Sequence, residues 1–374
     1  MDTCRFDDFV AGRALVMRGP HSRITARNRR EFADAMREID TARASGHWIA
    51  LIADYEVGYW LEPSLHERND DEEYTQRAPL TALVFDDAHE GRSCEALAND
   101  AQSEIISIAP RIGKQRYMEQ VSEIRSLIAA GEVYQINYTF ALDVSTRGDA
   151  GALYRRLASA NPSAHAAYIE DGDRRILSFS PELFLQHSGG KLTTRPMKGT
   201  APRDTDPERD DRLAAQLQAS TKDRAENLMI VDLLRNDLGR IARTGSVAVE
   251  NLFALERYAT VWTLTSTITA DIGEPNLEHI LRALFPCGSV TGAPKIAAMR
   301  HIRRLENAPR GVYCGSIGWL APDGRFSMNV AIRTLVLDRG GEGVYCVGGG
   351  IVMDSDPARE WEECKWKSRI IGSW

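Results

Sequence analysis

The sequence predicts an α+β protein. Short apolar or alternating runs of strand length recur along the chain, and amphipathic helical runs are scattered among them. The two kinds do not follow the regular alternation of a parallel βαβ wrap. A length of 374 residues allows a large buried core, and 43% hydrophobic with 26% charged residues is the composition of an ordinary globular protein.

In chain order, Trp48–Ala53 reads as a buried strand continued by 55–60, and Leu80–Phe85 as a second strand. The charge-dense stretch 66–77 predicts an exposed loop, and the polar run 86–102 a linker. Tyr117, Val121, Ile124, Leu127 and Ile128 fall at helical spacing over 117–130, and Gly131 ends the run. Tyr134, Ile136, Tyr138, Phe140 and Leu142 then alternate with polar residues, which predicts a strand with one buried face. Its other face, Gln135, Asn137 and Thr139, suits a polar cavity as well as solvent. Further strands are expected at 176–179, 183–187, 312–319, 331–337 and 344–347. Helices are expected at 207–217, 222–238, Leu277–Leu284, Lys295–Leu305 and 358–371.

Composition narrows the function. The 46 Lys and Arg against 53 Asp and Glu leave a net charge of −7, a field that does not favour nucleic acid or an anionic membrane. An anionic small substrate must then be captured by local positive groups. The six cysteines are scattered with no Cys-x-x-Cys pair, so a zinc site or redox dithiol has no support, and reduced thiols suit a cytoplasmic protein. The acidic start, Met1-Asp2-Thr3-Cys4-Arg5-Phe6-Asp7-Asp8, is unlike a signal peptide. No run has the length of a membrane span, and no internal repeat occurs.

Several short patterns bear chemistry. Lys198 sits in Arg195-Pro196-Met197-Lys198-Gly199-Thr200-Ala201-Pro202, where the flanking residues predict a tight turn after an extended run. A lysine held rigidly and partly desolvated can act as a neutral nucleophile; a plain surface lysine is the competing reading. Two helices carry acidic pairs at i,i+3, Asp223/Glu226 and Glu360/Glu363. Each pair shares a helix face, and a divalent cation such as Mg2+, which takes few oxygen ligands and keeps water, would relieve the repulsion. Solvated acidic faces would look the same. Pro294 sits where a helix starts, behind the flexible Gly288-Ser289-Val290-Thr291-Gly292, and such a start can hold a carboxylate on its backbone N–H groups. Arg333 falls in an alternating run, and its planar guanidinium suits bidentate carboxylate capture. Gly348-Gly349-Gly350 by itself reads as a hairpin turn.

As a set these blocks resemble the chorismate-utilising enzymes. They comprise Pro196-Met197-Lys198-Gly199-Thr200, Tyr134-Gln135-Ile136-Asn137, Ser180-Pro181-Glu182-Leu183, Asp223-Arg224-Ala225-Glu226-Asn227-Leu228, Gly288 to Lys295, Ala331-Ile332-Arg333, the triple glycine, and Glu360-Trp361-Glu362-Glu363. The resemblance runs from about Arg111 to the C-terminus and is looser before it. It implies a large mixed body of antiparallel sheets covered by helices. An N-terminal part, 1–105, would pack into the same body as the chorismate-binding catalytic part, 106–374.

The resemblance also implies roles. A lysine at the position of Lys198 is similar to the aminodeoxychorismate synthase component I branch; anthranilate, isochorismate and salicylate synthases normally have a small residue there. Lys198 then corresponds to the nucleophile and Glu182 to the general acid/base. Glu226 and Glu363 correspond to Mg2+ ligands, with Glu360 and Asp223 adjoining through water. Arg333, Thr291, Tyr313, Gly348, Gly350 and Lys367 correspond to substrate-binding positions. Two departures stand out: Thr263 occupies the place of a histidine in several relatives, and Gln135 that of a base lysine in water-using ones. The implied reaction joins chorismate and ammonia to give 4-amino-4-deoxychorismate for 4-aminobenzoate and folate. Ammonia would come from a separate glutamine amidotransferase subunit, since the chain shows no nucleophile-elbow cysteine and no spare length for that domain. An anthranilate synthase component I and a non-catalytic chorismate-binding regulatory subunit are the alternatives.

Overall fold

The computed structural model describes residues 2–67, 77–93, 103–258, 261–274, 276–306 and 308–374. Most of the predicted loop 66–77 and the predicted linker 86–102 lies outside these residues. The described part is α+β, built on two antiparallel sheets of ten strands each. From edge to edge the first sheet runs Gly292–Ala293, Gln135–Gly148, Glu342–Ile351, Thr334–Leu337, Arg174–Ser180, His165–Asp171, Thr3–Asp8, Arg13–Arg18 and His89–Arg92; Ser103–Pro110 also pairs with Gln135–Gly148. The second runs Met197–Pro202, Val261–Asp271, Lys191–Arg195, Leu183–Ser188, Phe326–Val330, Ser316–Leu320, Trp48–Ala53, Leu80–Phe85 and Ser22–Ala26; Ala248–Arg257 also pairs with Val261–Asp271. The first hundred residues feed strands to both sheets, Thr3–Asp8 pairing with His165–Asp171 and Trp48–Ala53 with Ser316–Leu320.

The strand Gln135–Gly148 is covered by the helices Lys114–Ala129 and Pro357–Ser368. Tyr117 sits 5.4 Å from Tyr138, Phe140 and Trp361, and Trp361 stacks on Phe140 at 5.3 Å. Each such ring hides on the order of 200 Å² from water, about 5 kcal/mol before entropy. This packing fixes the helix that carries Glu360, Glu363 and Lys367.

Five expectations are corrected, and one choice that the sequence leaves open is decided. Residues 55–60 do not continue the Trp48–Ala53 strand but turn into a short buried helix, Val57–Leu61. The polar face of Gln135–Gly148, open between a polar cavity and solvent, is turned away from solvent: Gln135, Asn137 and Thr139 are all buried, and Asn137 lines the cavity described below. The expected turn around Lys198 is an edge strand, Met197–Pro202, with a bulge. Gly348-Gly349-Gly350 lies within the strand Glu342–Ile351, not in a hairpin turn. The expected strand 331–337 is broken: Phe326–Val330 belongs to the second sheet, Thr334–Leu337 to the first, and Arg333 between them has φ +52°. The run 312–319 is likewise extended only from Ser316, after a turn in which Cys314 has φ +63°.

Candidate active site

Two crossings between the sheets lie side by side. The chain leaves the first sheet after Arg174–Ser180 and enters the second at Leu183, and Glu182 sits in that step. It returns between Phe326–Val330 and Thr334–Leu337, and Arg333 sits in that step. Hydrogen bonds lock the crossings together: Val330 N donates to Glu182 O at 3.1 Å, Phe179 N to Arg333 O at 3.0 Å, and Ser180 Oγ to Val330 O at 2.6 Å. A carboxyl and a guanidinium far apart in sequence thus border one cavity of about 290 Å³.

Glu182 is buried, and Ser289 Oγ donates to its Oε1 at 2.6 Å. Burial pushes its carboxyl up to about 7, against the opposing pull of the Ser289 hydrogen bond and the nearby Lys198 charge. Lys198 enters from the bulge. Met197 faces Thr265 and Thr200 faces Thr263, so this strand has one residue more than its partner. Gly199 absorbs the excess at φ +83°, where a Cβ would come within 2.8 Å of Asp223 Cβ. Thr263 Oγ1 donates to Gly199 O at 3.0 Å and pins the bulge. Thr263 therefore holds the segment that presents Lys198.

The triple glycine forms the facing wall. A Cβ on Gly350 would meet Gln135 Nε2 at 2.8 Å and Lys198 Nζ at 3.2 Å. Gln135 is fully buried, and both polar atoms of its amide are without partners among the described residues. A Cβ on Gly349 would lie 3.3 Å from both Glu360 Oε2 and Lys367 Nζ. One on Gly348 would lie 2.2 Å from Tyr138 O, so this glycine serves close strand pairing.

Asp223 and Glu226 border the cavity from the helix Thr221–Gly239, and Glu360 and Glu363 from Pro357–Ser368. Burial raises the Glu226 and Glu360 carboxyls, and neighbouring carboxylates add to it. Glu363, half-exposed, is lowered by Lys367, whose Nζ stands 2.8 Å from its Oε1 and also donates to Gly348 O at 2.7 Å. Lys222 Nζ faces Glu226 at 3.9 Å. The four carboxylates line one cavity from two helices, and two of them are made less acidic by their surroundings; oxygen donors of this kind are the chemistry a hard dication takes.

Arg333 and Tyr313 also line the cavity, and the Arg333 guanidinium has no hydrogen bond or ion pair among the described residues. Thr291 is placed differently from expectation. It is fully buried, and its hydroxyl is spent on Cys287 O and Gly288 O inside its own loop; Ser289 and Val290 of that loop line the cavity instead. Sequence reasoning also missed Asn137, Lys222 and Gly349. Asn137 had a sign, the unexplained polar face of its strand, and Gly349 had one in the triple glycine; Lys222 had none. A larger cavity of about 820 Å³ abuts this one through Tyr313 and Cys346. Three of its four arginines are committed to protein carboxylates, Arg310 to Glu306, Arg174 to Asp171 and Arg111 to Asp143, and the fourth, Arg77, is exposed.

The chorismate binding enzyme family matches residues 4–372. Aminodeoxychorismate synthase component 1 of Klebsiella aerogenes is 44% identical over 254 residues, 67% of this chain and 56% of that protein. Anthranilate synthase component 1 of Aquifex aeolicus is 39% identical over 259 residues, 69% of this chain and 52% of that protein. The chain spans about half the length of the curated relatives it matches. Among solved structures, anthranilate synthase component I from Streptococcus pneumoniae TIGR4 superposes with a TM-score of 0.82 at 25% identity, covering 96% of this chain and 92% of that one.

Proposed function

The chain belongs to the chorismate binding enzyme family, and on that premise we propose that it converts chorismate and ammonia to 4-amino-4-deoxychorismate and water. The observation that carries this reading is the convergence of Lys198 and the buried Glu182 on one small cavity that also holds a free guanidinium. The names of the relatives support it: the aminodeoxychorismate synthase of Klebsiella aerogenes is 44% identical to this chain.

Arg333 binds a carboxylate of the substrate through its fork of N–H donors. Mg2+, held by Glu226 and Glu363 with Glu360 and Asp223 acting through water, would supply charge neutralisation for the ring carboxylate. The amine of Lys198, once deprotonated, forms a bond to ring carbon 2. The ring double bonds shift, and the bond from carbon 4 to its hydroxyl oxygen breaks. Glu182 delivers the proton that lets this oxygen leave as water; a carboxyl with a pKa of about 7 keeps a large protonated fraction at neutral pH. Ammonia then bonds to carbon 4, the double bonds shift back, and the bond from Lys198 to carbon 2 breaks. Splitting one poor displacement into two is the benefit of the covalent step. Gly350 leaves room beside Lys198, and the Gln135 amide borders the same space with both polar atoms unpartnered among the described residues. Ammonia comes from a separate glutamine amidotransferase subunit.

The test is product mass after incubation with chorismate, Mg2+ and an ammonium salt, for the parent chain and for Lys198→Ala. The parent is expected to give the 4-amino product and Lys198→Ala to lose it by at least about 10³-fold. Anthranilate with pyruvate would establish the anthranilate synthase reading. Binding of chorismate without turnover would establish a regulatory subunit. Full 4-amino product from Lys198→Ala would refute the covalent step.

A further inference from the structure

Three residues far apart in sequence meet at one end of the second sheet, at the edge opposite the Lys198 strand. The strand Leu80–Phe85 lies between Ser22–Ala26 and Trp48–Ala53, with Ser22 level with Val84 and Trp48 level with Phe85. That register carries His21, just before the first residue of one neighbour, and His47, just before the first residue of the other, to either side of Asp86. His21 N donates to Val84 O at 3.0 Å and His47 N to Ala42 O at 3.2 Å, so both backbones are fixed.

The side chains converge. His21 Nε2 is 3.7 Å and His47 Nδ1 3.5 Å from the same Asp86 Oδ1, and the three ligand atoms all lie within 4.8 Å of one another. The imidazole centroids are 4.7 Å apart. Separations of 3.5 and 3.7 Å are too long for good hydrogen bonds. They are close to a different length: ligands about 2.0–2.2 Å from a tetrahedral metal stand about 3.3–3.5 Å from one another. Both His–Asp86 separations thus suit atoms that share one ion better than atoms bonded to each other.

We propose that His21, His47 and Asp86 form a binding site for a borderline divalent transition metal of the Zn2+ class. Two imidazoles and one carboxylate suit Zn2+, Co2+ or Ni2+ and disfavour Mg2+, which takes oxygen ligands. Three protein ligands leave a fourth position for water. The side chains of His21 and His47 are 39% and 32% exposed, so an ion reaches them from solvent. The ion ties the edge strand Ser22–Ala26 and the loop before Trp48 to the end of Leu80–Phe85. A metal bound only by the folded chain raises its stability by mass action. The site is independent of the reaction proposed above.

The experiment uses the full chain, stripped with chelator and kept in excess Mg2+. Co2+ is titrated while the visible absorption of tetrahedral cobalt is followed, and Zn2+ binding is measured by equilibrium dialysis. One ion per chain is expected, unaffected by Mg2+, with affinity at least tenfold weaker in His21→Ala and in His47→Ala. Both side chains are partly exposed, and near-UV circular dichroism verifies that the variants are folded. Absence of the cobalt spectrum in the parent overturns the proposal. So does a loss of less than tenfold in either folded variant.

Discussion

Replacing Glu182 with glutamine should move activity and stability in opposite directions. The carboxyl is buried and its pKa is raised from 4.5 to about 7, chiefly by desolvation. Between those two values the folded chain binds a proton that the unfolded chain has already released. The contribution of Glu182 to stability therefore declines as pH rises through that window, and its cost is complete above about 7. A shift of this size corresponds to about 3 kcal/mol. Glutamine has nearly the same shape, still accepts the Ser289 hydrogen bond through its amide oxygen, and never ionises. At pH 8 Glu182→Gln should therefore be more stable than the parent by up to about 3 kcal/mol, roughly 4 °C in Tm for a chain of this length. Near pH 4, where both are neutral, the difference should vanish. Turnover should fall by about 10²–10⁴-fold, the usual worth of a positioned general acid. Scanning calorimetry at the two pH values and a steady-state assay at pH 8 measure both effects. An unchanged rate would remove Glu182 from proton transfer. A lost rate with no gain in stability at pH 8 would refute the burial argument.

Three further outcomes follow from the same geometry. Arg333→Lys keeps the charge and loses the fork, so KM for chorismate should rise about 10- to 100-fold with a smaller change in kcat, in line with about 1.5–3 kcal/mol for a charge-assisted pair; equal losses in both would place Arg333 elsewhere. In Gly350→Ala the new methyl lies 2.8 Å from Gln135 Nε2 and 3.2 Å from Lys198 Nζ, so kcat should drop about 10- to 100-fold with Tm little changed, and a normal kcat would show that this slot is not used. Glu363→Gln removes a charge from the donor set and leaves Lys367 without its 2.8 Å partner, so the Mg2+ concentration for half-maximal turnover should rise at least about tenfold; an unchanged Mg2+ dependence would dismiss Glu363 as a ligand.

Local patterns determined much of this protein. Helical periodicity placed Leu277–Leu284 and Lys295–Leu305 with the bounds they have, because an amphipathic stripe and its stop residues are written within a dozen positions. Alternation placed Gln135–Gly148, and the blocks around Lys198, Glu182 and Glu226 drew attention to residues that line the cavity. Pairing partners were beyond local reach. Whether Lys198 sits in a turn or a bulge depends on Thr263 and Thr265 across the strand, not on its own neighbours. Arg333 read as mid-strand because the residues around it alternate correctly; the chain changes sheets there, and only the second sheet shows where extension must stop. The polar face of Gln135, Asn137 and Thr139 could meet solvent or a polar cavity; packing against the rest of the body buries all three and sets Asn137 at the cavity. The Thr291 hydroxyl turns to carbonyls of its own loop, a choice between nearly equal hydrogen bonds that no spacing encodes. His21, His47 and Asp86 look like three unrelated surface residues until strand register brings them level. Periodicity is a property of one segment and is legible in it, whereas a site is a property of the distances between segments, which are set by long-range burial and sheet pairing.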